Sequence, residues 1–311
     1  MHTIGITGSE GLVGSALRPV LERLGYSVAR LDVRLPCGHQ GHGDVRDVEK
    51  VRRFVRGCAG VVHLAGVSRV VWGEQDPGLC METNVGGTSN VLRAASEARC
   101  RPWLLFASSR EVYGEPTTLP VREDAPLRPI NVYGKSKLAA ERAVLAAREA
   151  GLTTGVVRLS NVYGSTHDHP DRVVPAFARA AAFGDDLRVD GPDHLFDFTH
   201  VQDAARGIAT MVTMLEAGER VLPPIHLLTG RGTTLRELAD LAIAAGGRRA
   251  RVVVAPARGY DVARFIGDPT RARILLGWWA TRTVKDGVAG LVAAFAPGQA
   301  IVRRAGVGRV A

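Results

Sequence analysis

An apolar run, TIGIT at residues 3–7, passes directly into TGSEGLVGSAL, which carries Gly8, Gly11 and Gly14 three residues apart. Glycines at that spacing permit a tight strand-to-helix turn and let backbone N–H groups approach a pyrophosphate, which a helix N-terminus favours electrostatically. Leu12 and Val13, between the second and third glycines, belong to the same expected site. A glycine turn alone is a weak signal. Here it follows a predicted strand, opens a predicted helix, and is completed by Asp32, which ends the run SVARLD eighteen residues after Gly14. The combination predicts a dinucleotide site. A carboxylate at Asp32 accepts hydrogen bonds from adenosine ribose hydroxyls and repels a 2′-phosphate, so the expected cofactor is NAD rather than NADP. Arg30 and Arg34 flank it and are expected to face solvent, because neighbours at a strand end point away from the face of Asp32.

Beyond the turn, short apolar runs alternate with longer amphipathic ones. GVVHLA (60–65), PWLLFAS (102–108) and TTGVVRLS (153–160) read as strands, separated by helical stretches at 77–98 and 133–150 with apolar residues every three or four positions. This rhythm predicts an α/β fold, a Rossmann-type doubly wound parallel sheet covered on both faces. After about residue 165 it breaks, and the remainder predicts a smaller C-terminal substrate-binding lobe. The expected division is a dinucleotide-binding domain over 1–164 and 200–229, a substrate lobe over 165–199 and 230–296, and a basic tail over 297–311.

Composition removes several alternatives. The net charge of +9 comes from 40 Lys and Arg dispersed along the chain, and with aromatics at 5% there are few stacking platforms for nucleic acid. An anionic small molecule is the expected partner, with no nucleic acid and no membrane. No run of eighteen apolar residues occurs and the N-terminus lacks a secretory pattern, so the expected compartment is the cytoplasm. Cys37, Cys58, Cys80 and Cys100 are widely spread, which suits reduced, mostly buried thiols. His167 and His169 lack an evident third ligand, so no metal is expected and a loop or substrate-contact role is assigned to them. Trp278 and Trp279 are expected to pack within the lobe.

The chemistry-bearing pattern is NVYGKSK, where Tyr133 and Lys137 stand four apart and share one face of a predicted helix. An ammonium beside a phenol favours the phenolate. Moving a tyrosine pKa from about 10 toward 7 takes roughly 4 kcal/mol, within reach of a close cation, the positive charge of NAD and a hydroxyl donor combined. Ser109, at the carboxyl end of the 102–108 strand where parallel sheets bind ligands, supplies that hydroxyl.

The ordered set TGSEGLVG, HLAG (63–66), NVGGT (84–88), SSREVYG, YGKSK, RLSNVYG (158–164), FDFTHVQDAA and DPTRARILLGW resembles the extended short-chain dehydrogenase/reductases, in their nucleotide-sugar epimerase/dehydratase branch, from residue 3 to about 295. The resemblance implies Ser109, Tyr133 and Lys137 as the catalytic triad. It implies Asp44 and Val45 near the adenine, Leu64, Ala65 and Gly66 along the dinucleotide, and Asn84 as a supporting polar residue. On the substrate side it implies Asn161 at the nucleotide diphosphate and Arg258 as the phosphate-binding arginine, and it suggests a homodimer joined through the helices around 77–98 and 131–150. Phe196 departs from the pattern, standing where the family commonly has a diphosphate-contacting arginine and leaving Arg258, with Arg188 or Arg264, to carry that charge. Gly66 and Ser165 also depart, replacing a frequent alanine and a frequent proline.

The mechanism so implied has Tyr133 take a sugar hydroxyl proton while the carbon hydride moves to NAD, and the fate of the keto-sugar defines the enzyme. In the resembling 4,6-dehydratases the two residues after the catalytic hydroxyl are an aspartate and a glutamate, acid and base for water loss. This chain keeps Glu111 as a candidate second base but carries Arg110 in the acid's place, and a guanidinium is a poor proton donor. Arg110 either turns outward or grips an anionic group such as a uronate carboxylate. The leading expectation is an NAD-dependent epimerase of UDP- or dTDP-hexoses at C4. The alternatives are a nucleotide-sugar dehydratase or uronate decarboxylase using Glu111 and, more remotely, a non-catalytic NAD-binding sensor.

Overall fold

A computed structural model describes residues 2–247 and 249–296; the expected basic tail lies outside the described residues. In chain order the first part comprises β1 (Thr3–Thr7), α1 (Leu12–Arg23), β2 (Ser27–Leu31), α2 (Val48–Arg56), β3 (Gly60–His63), α3 (Val70–Gln75), α4 (Pro77–Met81), α5 (Gly87–Glu97), β4 (Trp103–Ser109), α6 (Val132–Glu149) and β5 (Thr154–Leu159). There follow β6 (Asn161–Tyr163), α7 (Val173–Phe183), β7 (Leu187–Asp190), β8 (Leu195–His200), α8 (Val201–Glu216), β9 (Ile225–Leu227), β10 (Gly232–Thr234), α9 (Leu235–Gly246), β11 (Val252–Ala255), β12 (Arg264–Phe265), α10 (Thr270–Leu276) and α11 (Val284–Phe295).

Six parallel strands form the main sheet in the order β2-β1-β3-β4-β5-β9, a Rossmann-type doubly wound arrangement. A parallel bridge from Asp32 to His42 prolongs it beyond β2. The segment RLPCGHQGHG, with its proline and three glycines, sustains only that single bridge where a further strand would stand. Because side chains alternate along each strand, Val62, Leu105 and Val157 enter one core with Leu17, Leu21 and Ile208 of α1 and α8. Val61, Leu104, Phe106 and Val156 enter the other, against Val51, Val55, Val91 and Val144 of α2, α5 and α6. All seven residues of β4 are buried, as expected of a strand covered on both faces. The strand order reverses on either side of β1, so a crevice opens beyond the carboxyl ends of β1 and β3.

The helix expected over 77–98 is divided. A π-helical turn, Glu82–Gly86, separates α4 from α5 and carries the buried Asn84. Such turns concentrate at functional positions because they offset the side chains of one helix face.

The remaining elements build a second core from Val174, Phe177, Leu187, Val189, Phe196, Phe198, Leu238 and Leu291. Here β8 pairs with β6, β10 and β12, and β7 pairs with β11. A capping box between Thr234 and Glu237 starts α9. Trp278 does not pack within this lobe: it is fully buried against the main sheet's core, where its Nε1 donates to the Asp203 carbonyl at 3.0 Å, while Trp279 is largely exposed. The expectation of mostly buried thiols is met for Cys58 and Cys80 only; Cys37 and Cys100 are exposed, and all four are free. Among the described residues no helix is long and apolar enough to cross a membrane.

Candidate active site

The crevice is a cleft of about 840 Å³ running from the glycine turn to β8 and the segment around Arg258. At the turn, Gly8 adopts φ +71°, and a Cβ on Gly14 would stand 2.4 Å from the Gly8 carbonyl oxygen. No larger residue fits there without displacing backbone, so the cradle depends on glycine. Asp32 is buried, with one oxygen accepting from the Glu10 N–H at 2.9 Å and the other from the Arg34 N–H at 2.8 Å. An ionised carboxylate retains further acceptor sites for ribose hydroxyls. The expectation of solvent exposure holds for Arg34, half of whose side chain is accessible although its Nε lies 3.4 Å from Asp32, and fails for Arg30, which is drawn in to Glu10 and His39. The chain turns back after β2, which brings both guanidinium groups to the carboxylates.

Leu12, Val13, Asp44, Val45, Leu64, Ala65 and Gly66 also line the cleft. Arg46 holds the Asp44 carboxyl below the usual range by hydrogen bonding and charge, against the opposing effect of burial. His63, which sequence reasoning did not single out, supports this wall. It bonds Thr7 Oγ1 at 2.7 Å and Thr88 Oγ1 at 3.0 Å, and Thr7 in turn accepts from the Ala65 N–H. Burial, helped by the charge of Lys137, lowers its pKa to about 3, so it is neutral at pH 7.

Asn84 stands behind the cleft wall rather than on it. Its amide donates to the Val67 carbonyl at 3.1 Å and to Ser136 Oγ at 2.8 Å, and a Cβ on Gly66 would lie 2.5 Å from its Oδ1. Ser136 donates onward to the Tyr133 carbonyl at 2.7 Å. Asn84 therefore ties the Gly66 turn to the first turn of α6.

Ser109, Tyr133 and Lys137 converge on the cleft. Asn131 caps α6 by accepting from the Gly134 N–H at 2.8 Å, fixing the turn that carries Tyr133. Burial pushes the Tyr133 phenol up to about 12, outweighing the lowering influence of the neighbouring Ser109 hydroxyl. The protein alone thus holds Tyr133 as a neutral phenol; the lowering expected from lysine, NAD and a hydroxyl donor combined draws on a cofactor charge that the protein itself does not supply. The Lys137 ammonium is turned to the Ala107 carbonyl at 2.9 Å, and burial brings it down to about 8.

Arg110 and Glu111 form a 3₁₀ turn after β4, and both are buried in the cleft wall. Arg110 does not turn outward. Its guanidinium lies over Phe196, 4.5 Å from the ring centroid, and its Nη2 pairs with Glu111 Oε1 at 2.8 Å. The other oxygen of Glu111 accepts from the Asn131 amide at 2.8 Å. Asn161, Arg188 and Arg258 line the cleft from the lobe side, with Arg188 bonded to Asp190 and Arg258 to Asp261. Arg264 is exposed and is not among the lining residues.

The charged loop THDHPDR contributes more than the two histidines noted in the sequence. Asp168 is buried in the cleft wall with Oδ2 unpartnered, and Arg172 reaches across to Ser68 at 3.2 Å. His169 packs edge-on against Trp72, with ring centroids 4.5 Å apart. The density of charge directly after RLSNVYG is the signal that marks this loop.

The fold and these side chains define an enzyme of the short-chain dehydrogenase/reductase type that takes NAD as its cofactor. The chain belongs to the NAD dependent epimerase/dehydratase family, whose match spans residues 4–222. It is 32% identical over 304 residues to the UDP-glucose 4-epimerase of Streptomyces lividans, covering 89% of this chain and 91% of that one. Among solved structures it is similar to MoeE5 in complex with UDP-glucuronic acid and NAD, with 28% identity, TM-score 0.86, and coverage of 94% of this chain and 98% of that one. It is also similar to DesIV, a dTDP-glucose 4,6-dehydratase from Streptomyces venezuelae with NAD and TYD bound, with 27% identity, TM-score 0.83, and coverage of 94% and 96%.

Proposed function

We propose that this protein is an NAD-dependent nucleotide-sugar epimerase that inverts C4 of a UDP- or dTDP-linked hexose through a transient keto-sugar. The observation that carries this choice is the engagement of both Glu111 oxygens, one by Arg110 and one by Asn131. Dehydration requires an acid for the leaving hydroxyl and a free base for the adjacent C–H. Arg110 is no such acid, and Glu111 serves as a base only after surrendering a buried ion pair.

Tyr133 takes the C4 hydroxyl proton and later returns it, and Ser109 donates a hydrogen bond to the oxygen as it becomes a carbonyl. NAD, when bound, supplies the hydride acceptor and donor. Its cationic ring, together with the Lys137 ammonium, favours the phenolate that burial alone opposes. Gly8, Gly11, Leu12, Val13, Gly14, Asp32, Asp44, Val45, Leu64, Ala65 and Gly66 hold the dinucleotide, supported by Asn84. Asn161 and Arg258 hold the substrate diphosphate.

Residues 1–164 and 200–229 are assigned to the cofactor and residues 165–199 and 230–296 to the substrate, a division the two cores support except that Ala272 and Trp278 join the first core and Tyr163 the second. A homodimer through the helices around 77–98 and 131–150 is supported by the exposed Leu79 and Met81 on α4. Four free thiols and a soluble dinucleotide cofactor support a cytoplasmic location.

The test is incubation with UDP-glucose, UDP-glucuronic acid and dTDP-glucose, with products examined by mass and NMR. Unchanged mass with inverted C4 is expected. Loss of water would identify a dehydratase and loss of carbon dioxide a uronate decarboxylase, either one overturning the proposal.

A further inference from the structure

Arg110 follows Ser109 directly, yet its side chain is only 9% exposed. Phe196 and Phe265 flank its guanidinium carbon, with ring centroids at 4.5 and 5.8 Å. Glu111 takes Nη2, whereas the enclosed Nη1 has no hydrogen-bond partner. A guanidinium carries five donors in a rigid fork, and a buried donor left unpaired is costly, so an unpaired one in a ligand cleft marks a place for an acceptor the protein does not provide. The aromatic faces and Glu111 fix the fork beforehand, which lowers the ordering cost of binding.

We infer that Arg110 is the specificity-determining residue for a carboxylate on the sugar ring, so that the substrate is a nucleotide-linked uronic acid rather than a neutral hexose. This rests on the epimerase reading and sharpens its substrate class. A carboxylate offers the unpaired Nη1 a charged acceptor, whereas a neutral hydroxymethyl group offers it only a weak one. Position separates this role from diphosphate binding. Arg110 adjoins Ser109 at the reacting end of the cleft, while Arg188 and Arg258 enter from the lobe and are far more exposed, with 74% and 46% of their side chains accessible. An arginine at position 196 would compete with Arg110 for this space; the phenylalanine there gives it a surface to lie on.

The test compares wild type, Arg110→Gln and Arg110→Lys in kinetics with UDP-glucuronic acid and UDP-glucose, and in calorimetry with both sugars and with UDP alone. Wild type is expected to favour UDP-glucuronic acid, and Arg110→Gln to lower kcat/KM for it by about 30-fold, with a loss at least tenfold smaller for UDP-glucose. A wild type that prefers UDP-glucose overturns the inference. So does an Arg110→Gln variant that weakens UDP and both sugars alike, which would place Arg110 on the diphosphate. If neither sugar is turned over, the epimerase reading fails by itself, and the calorimetric preference between the sugars still decides the role of Arg110. NAD binding and thermal melting establish that the variants fold. Should Arg110→Gln not fold, Arg110→Lys keeps the charge and loses the fork, and is expected to reduce the preference about tenfold; an unchanged preference overturns the inference.

Discussion

Lys137 is bonded to the strand that carries Ser109: its ammonium donates to the Ala107 carbonyl at 2.9 Å and stands 5.0 Å from the centroid of Phe106. Burial lowers its pKa to about 8, against about 10.4 in an unfolded chain. Between those values only the unfolded state holds the proton, so this group makes stability rise with pH by roughly 1 kcal/mol per unit. Below pH 8 both states are protonated and its contribution is flat and unfavourable. Urea unfolding at pH 7.5 and 9.5 is expected to show this gain in wild type and not in Lys137→Met. Identical pH dependence in the two would refute the assignment.

Tyr133→Phe removes the proposed acid–base group and leaves the ring in place. Turnover is expected to fall by about a thousandfold, while NAD affinity changes by only a few-fold. Isothermal titration with NAD, run beside product assays, separates the two effects. Residual activity near wild type would mean that another group carries the proton.

The contact between Arg34 and Asp32 gives a cofactor test. Asp32→Ser removes a carboxylate that accepts from two backbone N–H groups and frees the guanidinium 3.4 Å away. NAD affinity is expected to fall by about 10- to 100-fold and NADP affinity to rise, because Arg34 can then meet a 2′-phosphate. Fluorescence titration with both dinucleotides measures the change. Parallel losses for the two would show that Asp32 acts on the turn alone.

Beneath β5 lies a buried ion pair. Arg158 pairs with Glu141 of α6 and also donates to the Tyr113 hydroxyl and the Glu123 carbonyl, while Tyr113 bonds His226 at 2.6 Å. Glu141→Gln leaves the guanidinium without its counter-charge and is expected to cost about 3–5 kcal/mol in urea unfolding. A cost under about 1 kcal/mol would show that the other acceptors suffice.

What the sequence alone determined is local. The glycine turn joins one strand to one helix, and Tyr133 and Lys137 meet because four residues make about one helical turn; each pattern is fixed by covalent neighbours and backbone geometry. The alternation of runs likewise predicts a parallel sheet whose strand ends hold Asp32 and Ser109. Local reasoning misplaced Arg30, because the return of the chain after β2, set by the pairing of Asp32 with His42, brings His39 against it. It read 77–98 as one helix, because the π turn answers to the inward placement of Asn84 behind Gly66. It left out the burial that raises the Tyr133 phenol in the protein alone, because desolvation depends on what the whole fold packs around the ring. Only the tertiary structure decided the posture of Arg110. Phe196 arrives from β8, Phe265 from β12, and Asn131, which completes the hold on Glu111, from the cap of α6. A guanidinium is held or released by the faces packed around it, and those faces belong to segments distant in the chain, which no spacing in the sequence brings together.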